Sequence, residues 1–322
     1  MHSELNLLAM FLIGSLNIVS CEVHYFISSH SNSSFADSYL TLSQFADSST
    51  HYINSNTTLY IIGGSHDLYV GISVSNVEGF SMLSTNDTNS SITCSKHANF
   101  SFSNVGHVYI SGLTFVGCGS NRVNSVDQLT IERSMFLGWN NSETSLVVSE
   151  SNVNMTKIFL VSNSVGRCQR DIRFLQMMST TNNPQSSCTV RVGGALIVTH
   201  STLAIDNCQF EENRANIGGA IFSEMESNIT ISNSEFTSNQ ATGCDNEHCF
   251  GGALFIDGAG TVIIHNSTVQ NNTSDQDGGM AVVFNATLSV SQSYAYSNTA
   301  ACLLYTSPSP RDATLSRMPS SA

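Results

Sequence analysis

One four-residue phrase recurs along this chain and restricts its fold more than any other feature. Gly193-Gly-Ala-Leu196 returns as Gly218–Ile221, as Gly251–Leu254 and as Gly278-Gly-Met-Ala281. An apolar-x-apolar pair follows each copy: Leu203/Ile205, Ile229/Ile231, Val262/Ile264 and Leu288/Val290. A Phe-x-x-Asn element comes next, at Phe210/Asn213 and Phe236/Asn239, and degrades to Val269/Asn272 and Ala295/Asn298. A period of about 25 residues with short alternating runs and no helical spacing is the mark of a solenoid. Stacking equivalent residues predicts one inward ladder through Leu203, Ile229, Val262 and Leu288, and a second through Ile205, Ile231, Ile264 and Val290. The four asparagines are expected to form a third, whose amides bond one another and the turn backbone. The paired glycines suit a corner where a positive φ or a close approach of two coils excludes a Cβ.

The two motifs in phase resemble the repeats of the chlamydial polymorphic outer membrane proteins. They also resemble predicted β-helix proteins with the same repeats at the surface of some eukaryotic cells. The resemblance covers Gly193 to about Ala300 and implies an all-β, right-handed parallel β-helix. The bacterial family members carry a C-terminal membrane β-barrel, and no stretch of this sequence resembles one.

Composition agrees with a stacked polar exterior. Charged residues are only 11%, and Ser, Asn and Thr fill the polar positions. The net charge of −13 supplies no cationic patch to displace counterions from phosphates, so no nucleic-acid partner is expected. Anionic membrane surfaces are disfavoured for the same reason.

In chain order, residues 1–21 read as a secretory signal peptide: an apolar core from Leu5 to Leu16 precedes Val19-Ser20-Cys21, small residues suited to cleavage. An anchor helix would need a longer apolar run. Residues 22–57 are expected to cap the solenoid. Val23–Ile27 would form a strand, and Phe35, Tyr39, Leu42 and Phe45 would share one face of a helix with Ser34 and Asp37 as its capping pair. Residues 58–301 would form the β-helix itself. Its divergent early coils are marked by Leu59/Ile61, Val108/Ile110, Leu129/Ile131 and Val153/Met155, with Phe115 to Cys118 and Leu160 to Asn163 in place of Phe-x-x-Asn. Insertions interrupt the period at 167–190 and 242–250. Residues 302–322 (Cys-Leu-Leu-Tyr-Thr-Ser-Pro-Ser-Pro-Arg-Asp and onward) look like a translated transposase-type sequencing adapter, so the natural C-terminus is expected to be missing, and a membrane contact only through an anchor in it.

An oxidising compartment makes disulfides the expected state of the cysteines. Cys168 with Cys188 and Cys244 with Cys249 would each staple an insertion, and Cys94 with Cys118 would join neighbouring coils. Cys208 aligns with Ser234, Ser267 and Ser293, and is expected as an inward free thiol. The run Cys244-Asp-Asn-Glu-His248-Cys249 has no common zinc spacing, so no metal or other cofactor is expected. Sequons offer glycosylation at Asn32, Asn56, Asn86, Asn89, Asn99, Asn140, Asn154, Asn228, Asn266, Asn271 and Asn285. Asn272 also lies in a sequon, but its place in the asparagine ladder excludes it.

No arrangement of acidic residues matches a glycosidase or lyase motif. Candidates are Glu211/Glu212, Glu224/Glu226, Asp257 and Asp275/Asp277. Glu224 and Glu226 share strand parity and would protrude together, while Asp275 and Asp277 would sit in a turn. Arg214 is the one arginine of the clean repeats. No catalytic residue is assigned on this pattern. The expectation is a secreted or cell-surface recognition, adhesion or structural scaffold that binds a protein or glycan. A carbohydrate-active lyase or hydrolase of the pectate-lyase-like fold is the alternative.

Overall fold

The computed structural model describes residues 22–27, 40–53, 56–85, 90–95, 98–138, 144–163, 192–243, 249–258, 260–301 and 303–306. The chain winds into a parallel β-helix. Every strand pairing is parallel, and each strand pairs with its equivalents one coil before and one coil after. Backbone polar groups are thus satisfied between coils, which frees each short strand from any need for a hairpin partner.

One coil of the regular part shows how the sequence turns. Leu196–Thr199 forms a first face, Thr202–Asp206 a second and Gln209–Glu211 a third, followed by the two-residue strand Arg214–Ala215. The corners between them are single residues in the left-handed region: His200 (φ 45°), Asn207 (φ 52°) and Glu212 (φ 53°). Gly218 (φ 65°) then turns the chain into the next coil. Here the two glycines have separate reasons. A Cβ on Gly218 would lie 2.4 Å from the Ile221 carbonyl, besides the positive φ. A Cβ on Gly219 would lie 2.1 Å from the Gly252 carbonyl of the following coil. The first glycine is a conformational requirement and the second a stacking requirement.

Both apolar ladders form as the repeat predicts. Leu203 pairs with Ile229, Ile229 with Val262 and Val262 with Leu288, and Ile205, Ile231, Ile264 and Val290 run beside them. Val153/Met155, Leu129/Ile131 and Val108/Ile110 extend the same two columns into the earlier coils. Leu59/Ile61 does not fit there. Thr57 pairs with Phe80 and Leu59 with Met82, so Leu59 belongs to the second column and Ile61 lies one step beyond it. The pair Phe80/Met82 is the true equivalent, and Val108 and Ile110 pair with it.

The asparagine column begins at Asn163. Asn163, Asn213, Asn239 and Asn272 each donate Nδ2 to the next asparagine's Oδ1 at 2.9 Å. The same Oδ1 accepts the preceding asparagine's backbone N–H at 2.9–3.1 Å. Nδ2 also donates to the carbonyl of Leu160, Phe210 or Phe236 one coil back at 2.9 Å. Asn213, Asn239 and Asn272 are fully buried, so these bonds replace hydration completely.

Two further features went unpredicted. Ser151, Ser201 and Ser227 form a serine column, each hydroxyl receiving a backbone N–H from the coil before it. On the first face, Ile197, Phe222, Phe255 and Val282 point away from the main core, yet they are buried in a second apolar cluster with Val192, Ile217 and Phe250. Phe222 and Phe255 stack with ring centroids 5.4 Å apart.

The N-terminal segment corrects the helix expectation. Glu22–Ile27 is a strand paired with Asn56–Ile61. The helix spans Leu42–Tyr52, starting later than the apolar spacing from Phe35 predicts. Its capping pair is Thr41 and Gln44: the Gln44 N–H donates to Thr41 Oγ1 at 3.2 Å, and the Thr41 N–H to Gln44 Oε1 at 2.9 Å. Leu42, Phe45 and Ala46 enter the main core. Ser34, Phe35, Asp37 and Tyr39 lie outside the described residues, as do residues 1–21. At the other end, Leu303–Thr306 pairs with Asp277–Phe284 through a register shift between Asp277 and Ala281.

Candidate functional surface

Residues that point inward are consumed by the architecture, so chemistry toward a partner must come from the outward positions of the three faces and from the exposed corners. The sequence-nominated acidic residues do not converge there. Glu224 ends its strand buried, whereas Met225 (φ 55°) and Glu226 (φ 52°) both turn left-handed and leave Glu226 exposed. Two consecutive left-handed residues break the alternation on which their expected shared face depended. Glu211 is exposed on the third face, and Glu212 is a corner whose Oε2 accepts from Ser162 Oγ at 3.1 Å. Asp275 accepts the Gly243 N–H at 3.1 Å. Asp277 opens the strand Asp277–Phe284 and bridges to Phe250 instead of occupying a turn. Arg214 is exposed and donates Nη2 to Thr242 Oγ1 at 2.6 Å. Asp257 closes the strand Leu254–Asp257, where burial pushes its carboxyl above the usual range against a lowering bond from the Gly258 N–H.

The cysteines divide cleanly. Cys94 and Cys118 form a disulfide with Cα atoms 4.9 Å apart, joining successive coils next to the pairing of Thr93 with Val116. Cys249 is disulfide-bonded to a residue outside the described set; Cys168, Cys188, Cys244 and His248 also lie outside it. Cys208 is free and buried, and burial pushes its thiol up to about 11. Its backbone N–H donates to Ser234 Oγ at 3.0 Å, and its Sγ lies 3.2 Å from the Asp206 carbonyl. Ser234 and Ser267 repeat this pattern.

Among the sequon asparagines, Asn154 and Asn228 are exposed on the second face. Asn266, Asn271 and Asn285 are exposed left-handed corners. Asn271 thus faces solvent while Asn272 faces the core. Asn56 and Asn99 are half-buried. Asn32, Asn86, Asn89 and Asn140 lie outside the described residues.

Among the described residues, the second face of the early coils carries a groove of about 260 Å³. Its floor is Gly79 and Ser81, where side chains are small. Asn56, Thr58 and Tyr60 form one wall on the preceding strand, and His107 and Tyr109 the other on the following strand. The Asn56 amide reaches over Gly79 toward Glu78, with Nδ2 3.5 Å from Glu78 Oε2. Tyr60 stacks on the exposed Phe26 at 5.1 Å, and the Tyr109 hydroxyl donates to Glu132 Oε2 at 3.0 Å. The sequence shows this groove only as a glycine at an outward strand position, where a side chain is expected.

Residues 207–224 match the Chlamydia polymorphic membrane protein repeat. That span runs from the corner at Asn207 through Gln209–Glu211, Asn213 and the glycine turn to Ile221–Glu224, the part of a coil that carries the asparagine and glycine columns. No curated protein matches the chain. Among solved structures the chain is similar to one titled "Crystal structure of Agl-KA catalytic domain", at 10% identity and a TM-score of 0.25, over 78% of this chain and 63% of that one. The chain thus spans less than two thirds of that structure, and a likeness of this degree carries no argument about fold or chemistry.

Proposed function

We propose that this protein is a secreted or cell-surface β-helix scaffold that recognises a protein or glycan partner through outward side chains. The observation that carries this reading is the division of labour within the matched coil. In residues 207–224 the inward, corner and asparagine positions are occupied by structural bonds. Gln209, Glu211 and Arg214 alternate outward and are exposed. Outward positions can therefore change from coil to coil without disturbing the stack, as a recognition surface requires. The repeat match supports a surface location, and the apolar N-terminal segment supports entry into the secretory route.

The test is binding of the labelled full chain to intact cells of its source. Saturable binding, competed by unlabelled chain and insensitive to Glu226→Gln, is the expected result. Robust depolymerisation of a polysaccharide by the purified chain, abolished by Glu226→Gln, would replace the scaffold with an enzyme.

A further inference from the structure

The geometry points to the groove over Gly79 as a binding site for one ring of a neutral oligosaccharide carried by another molecule. This rests on the recognition reading and names its ligand. Three observations restrict the occupant.

The floor lies in the interior of a sheet. Gly79 pairs with Asn56 on one side and with His107 on the other, so its backbone donors and acceptors are engaged in the ladder. An extended peptide has no free sheet edge to join here, which removes the usual source of affinity for a bound strand. Recognition must therefore use side chains alone.

Those side chains combine aromatic rings with amide and hydroxyl groups and one imidazole. Tyr60 and Tyr109 stand on opposite walls, and the Asn56 amide, the Thr58 and Ser81 hydroxyls and the His107 imidazole lie between or beside them. Amides and hydroxyls both donate and accept, matching a ligand whose own hydroxyls do the same. Aromatic faces take the apolar side of a sugar ring while their polar ends stay wet. The Glu132 carboxylate that accepts from Tyr109, together with Glu78 beside Asn56, makes the rim acidic and selects against anionic sugars.

The depression is also one ring wide. Two strand spacings, about 9.6 Å, separate the strands that carry the walls. The small Ser81 and Gly79 provide the depth between them, with the Asn56 amide lying across Gly79. A Cβ there would lie 2.4 Å from Asn56 Oδ1, the movable end of a side chain, and 3.9 Å from the nearest backbone atom in reach, the His107 carbonyl. Gly79→Val therefore fills the groove without breaking the strand, and a β-branched residue suits that position.

Asn56 is itself a sequon, and a glycan linked to it would supply the same chemistry from within the chain. The arms of the test separate the two sources. The full chain is produced in a bacterial periplasm, where disulfides form and sequons stay bare, and titrated calorimetrically with cellotriose, chitotriose and maltotriose. At least one is expected to bind. Gly79→Val, with an unchanged melting temperature, should weaken that binding at least about tenfold, equivalent to 1.4 kcal/mol. Tyr109→Ala should do the same, Tyr109→Phe should stay within about threefold, and Tyr294→Ala on the third face should have no effect. No binding by any of the three sugars, or equal affinity in folded Gly79→Val, overturns the proposal. So does a peptide map of chain from a eukaryotic secretory host showing Asn56 fully glycosylated, which assigns the groove to the chain's own glycan. Cell binding by a wild-type chain that binds none of the three sugars sinks the groove and leaves the scaffold reading standing.

Discussion

The early coils and the late coils build the same helix with different joints. In the early coils a single long strand runs through the corner between first and second faces: Ile72–Ser84, Phe100–Ser111 and Asn121–Glu132 each contain a left-handed residue, at Asn76, Asn104 and Ser125. From the next coil on, that strand divides in two, Leu146–Ser149 and Asn152–Thr156, both of which pair with Asn121–Glu132. The late coils add the short strand Arg214–Ala215 and its three equivalents. They close each turn with paired glycines and an asparagine.

The difference shows that the corner, more than the strand, is what the repeat encodes. Cys118 stands two residues after Val116 as Asn163 stands two after Val161, and Val116, Leu137 and Val161 are successive in one column. Where the late coils use an amide ladder, the early coils use the Cys94–Cys118 bond, while aromatic stacking runs through both, with Phe115 on Phe136 at 4.8 Å and Phe210 on Phe236 at 4.5 Å. Coil length varies with or without an amide column. The spacing is 21 residues between Phe100 and Asn121, against 26 between Asn213 and Asn239. Even the late region absorbs an insertion, 33 residues separating Asn239 from Asn272, because extra residues loop out between intact corners.

This comparison can be broken in graded steps. Gly219→Ala is expected to be the most damaging, costing more than about 5 kcal/mol or preventing folding of the late coils, because its Cβ would meet backbone that cannot shift. A melt that loses only a few degrees would refute the stacking role of the second glycine. Asn239→Ala comes next, at about 3 kcal/mol, since it orphans the Asn213 N–H and takes one bond each from the Asn213 amide, the Phe210 carbonyl and the Asn272 amide oxygen in a dry interior. Chemical denaturation followed by circular dichroism measures both.

Removing the disulfide with Cys94→Ala and Cys118→Ala should cost about 3 kcal/mol through the 24-residue separation it closes. The loss should be confined to the early coils. Cys208→Ser should cost less than about 1 kcal/mol, because serine already performs the same two bonds at Ser234 and Ser267. In the folded wild type, iodoacetamide at pH 8 should leave Cys208 unmodified, given a thiol pushed up to about 11 and a buried sulfur. Rapid labelling without unfolding would contradict that placement.

The smallest effect concerns Asp257. Its folded carboxyl lies above its unfolded value, so the folded state binds more protons between the two and stability falls as pH rises through that window. Asp257→Asn should therefore be more stable than wild type at neutral pH. The advantage should disappear below the unfolded aspartate range, and thermal melts at pH 7 and pH 3 measure it.

The columns that were legible in the sequence are those with few permitted residues. Paired glycines and buried asparagines repeat because each position has a single physical solution, and the inward pairs because only an aliphatic side chain fits. Corners are different. Arg133, Glu150, Lys157, His200 and Met225 all occupy the left-handed region, at a modest strain that the fixed stack overcomes. No composition rule marks them, and the consecutive pair Met225-Glu226 consequently upset the parity expected for Glu224 and Glu226. Ile61 was misregistered for a related reason: alternation in Thr57-Thr58-Leu59-Tyr60-Ile61 allows the apolar pair to be placed two residues late without changing face. The outer cluster of Ile197, Phe222 and Phe255 was readable only as a second apolar residue after Gly-Gly-Ala-Leu, easily taken for a continuous buried run. The groove over Gly79 left still less trace, because an outward glycine in a divergent coil has no repeat against which to be compared.

The central claim is that the late coils are held together by one amide column acting between neighbours. Residue-resolved hydrogen exchange on wild type and Asn239→Ala tests it most directly. Wild-type amides of Asn163, Asn213, Asn239 and Asn272 should be as protected as those of the paired strands, because each donates to the next side-chain oxygen. In the variant, protection should fall at Asn213 and in the coils on either side, while the coil carrying Val108 and Ile110 keeps its wild-type rates. Asparagine amides that exchange like exposed loops, or a uniform loss of protection from Ile72 to Ser291, would contradict it.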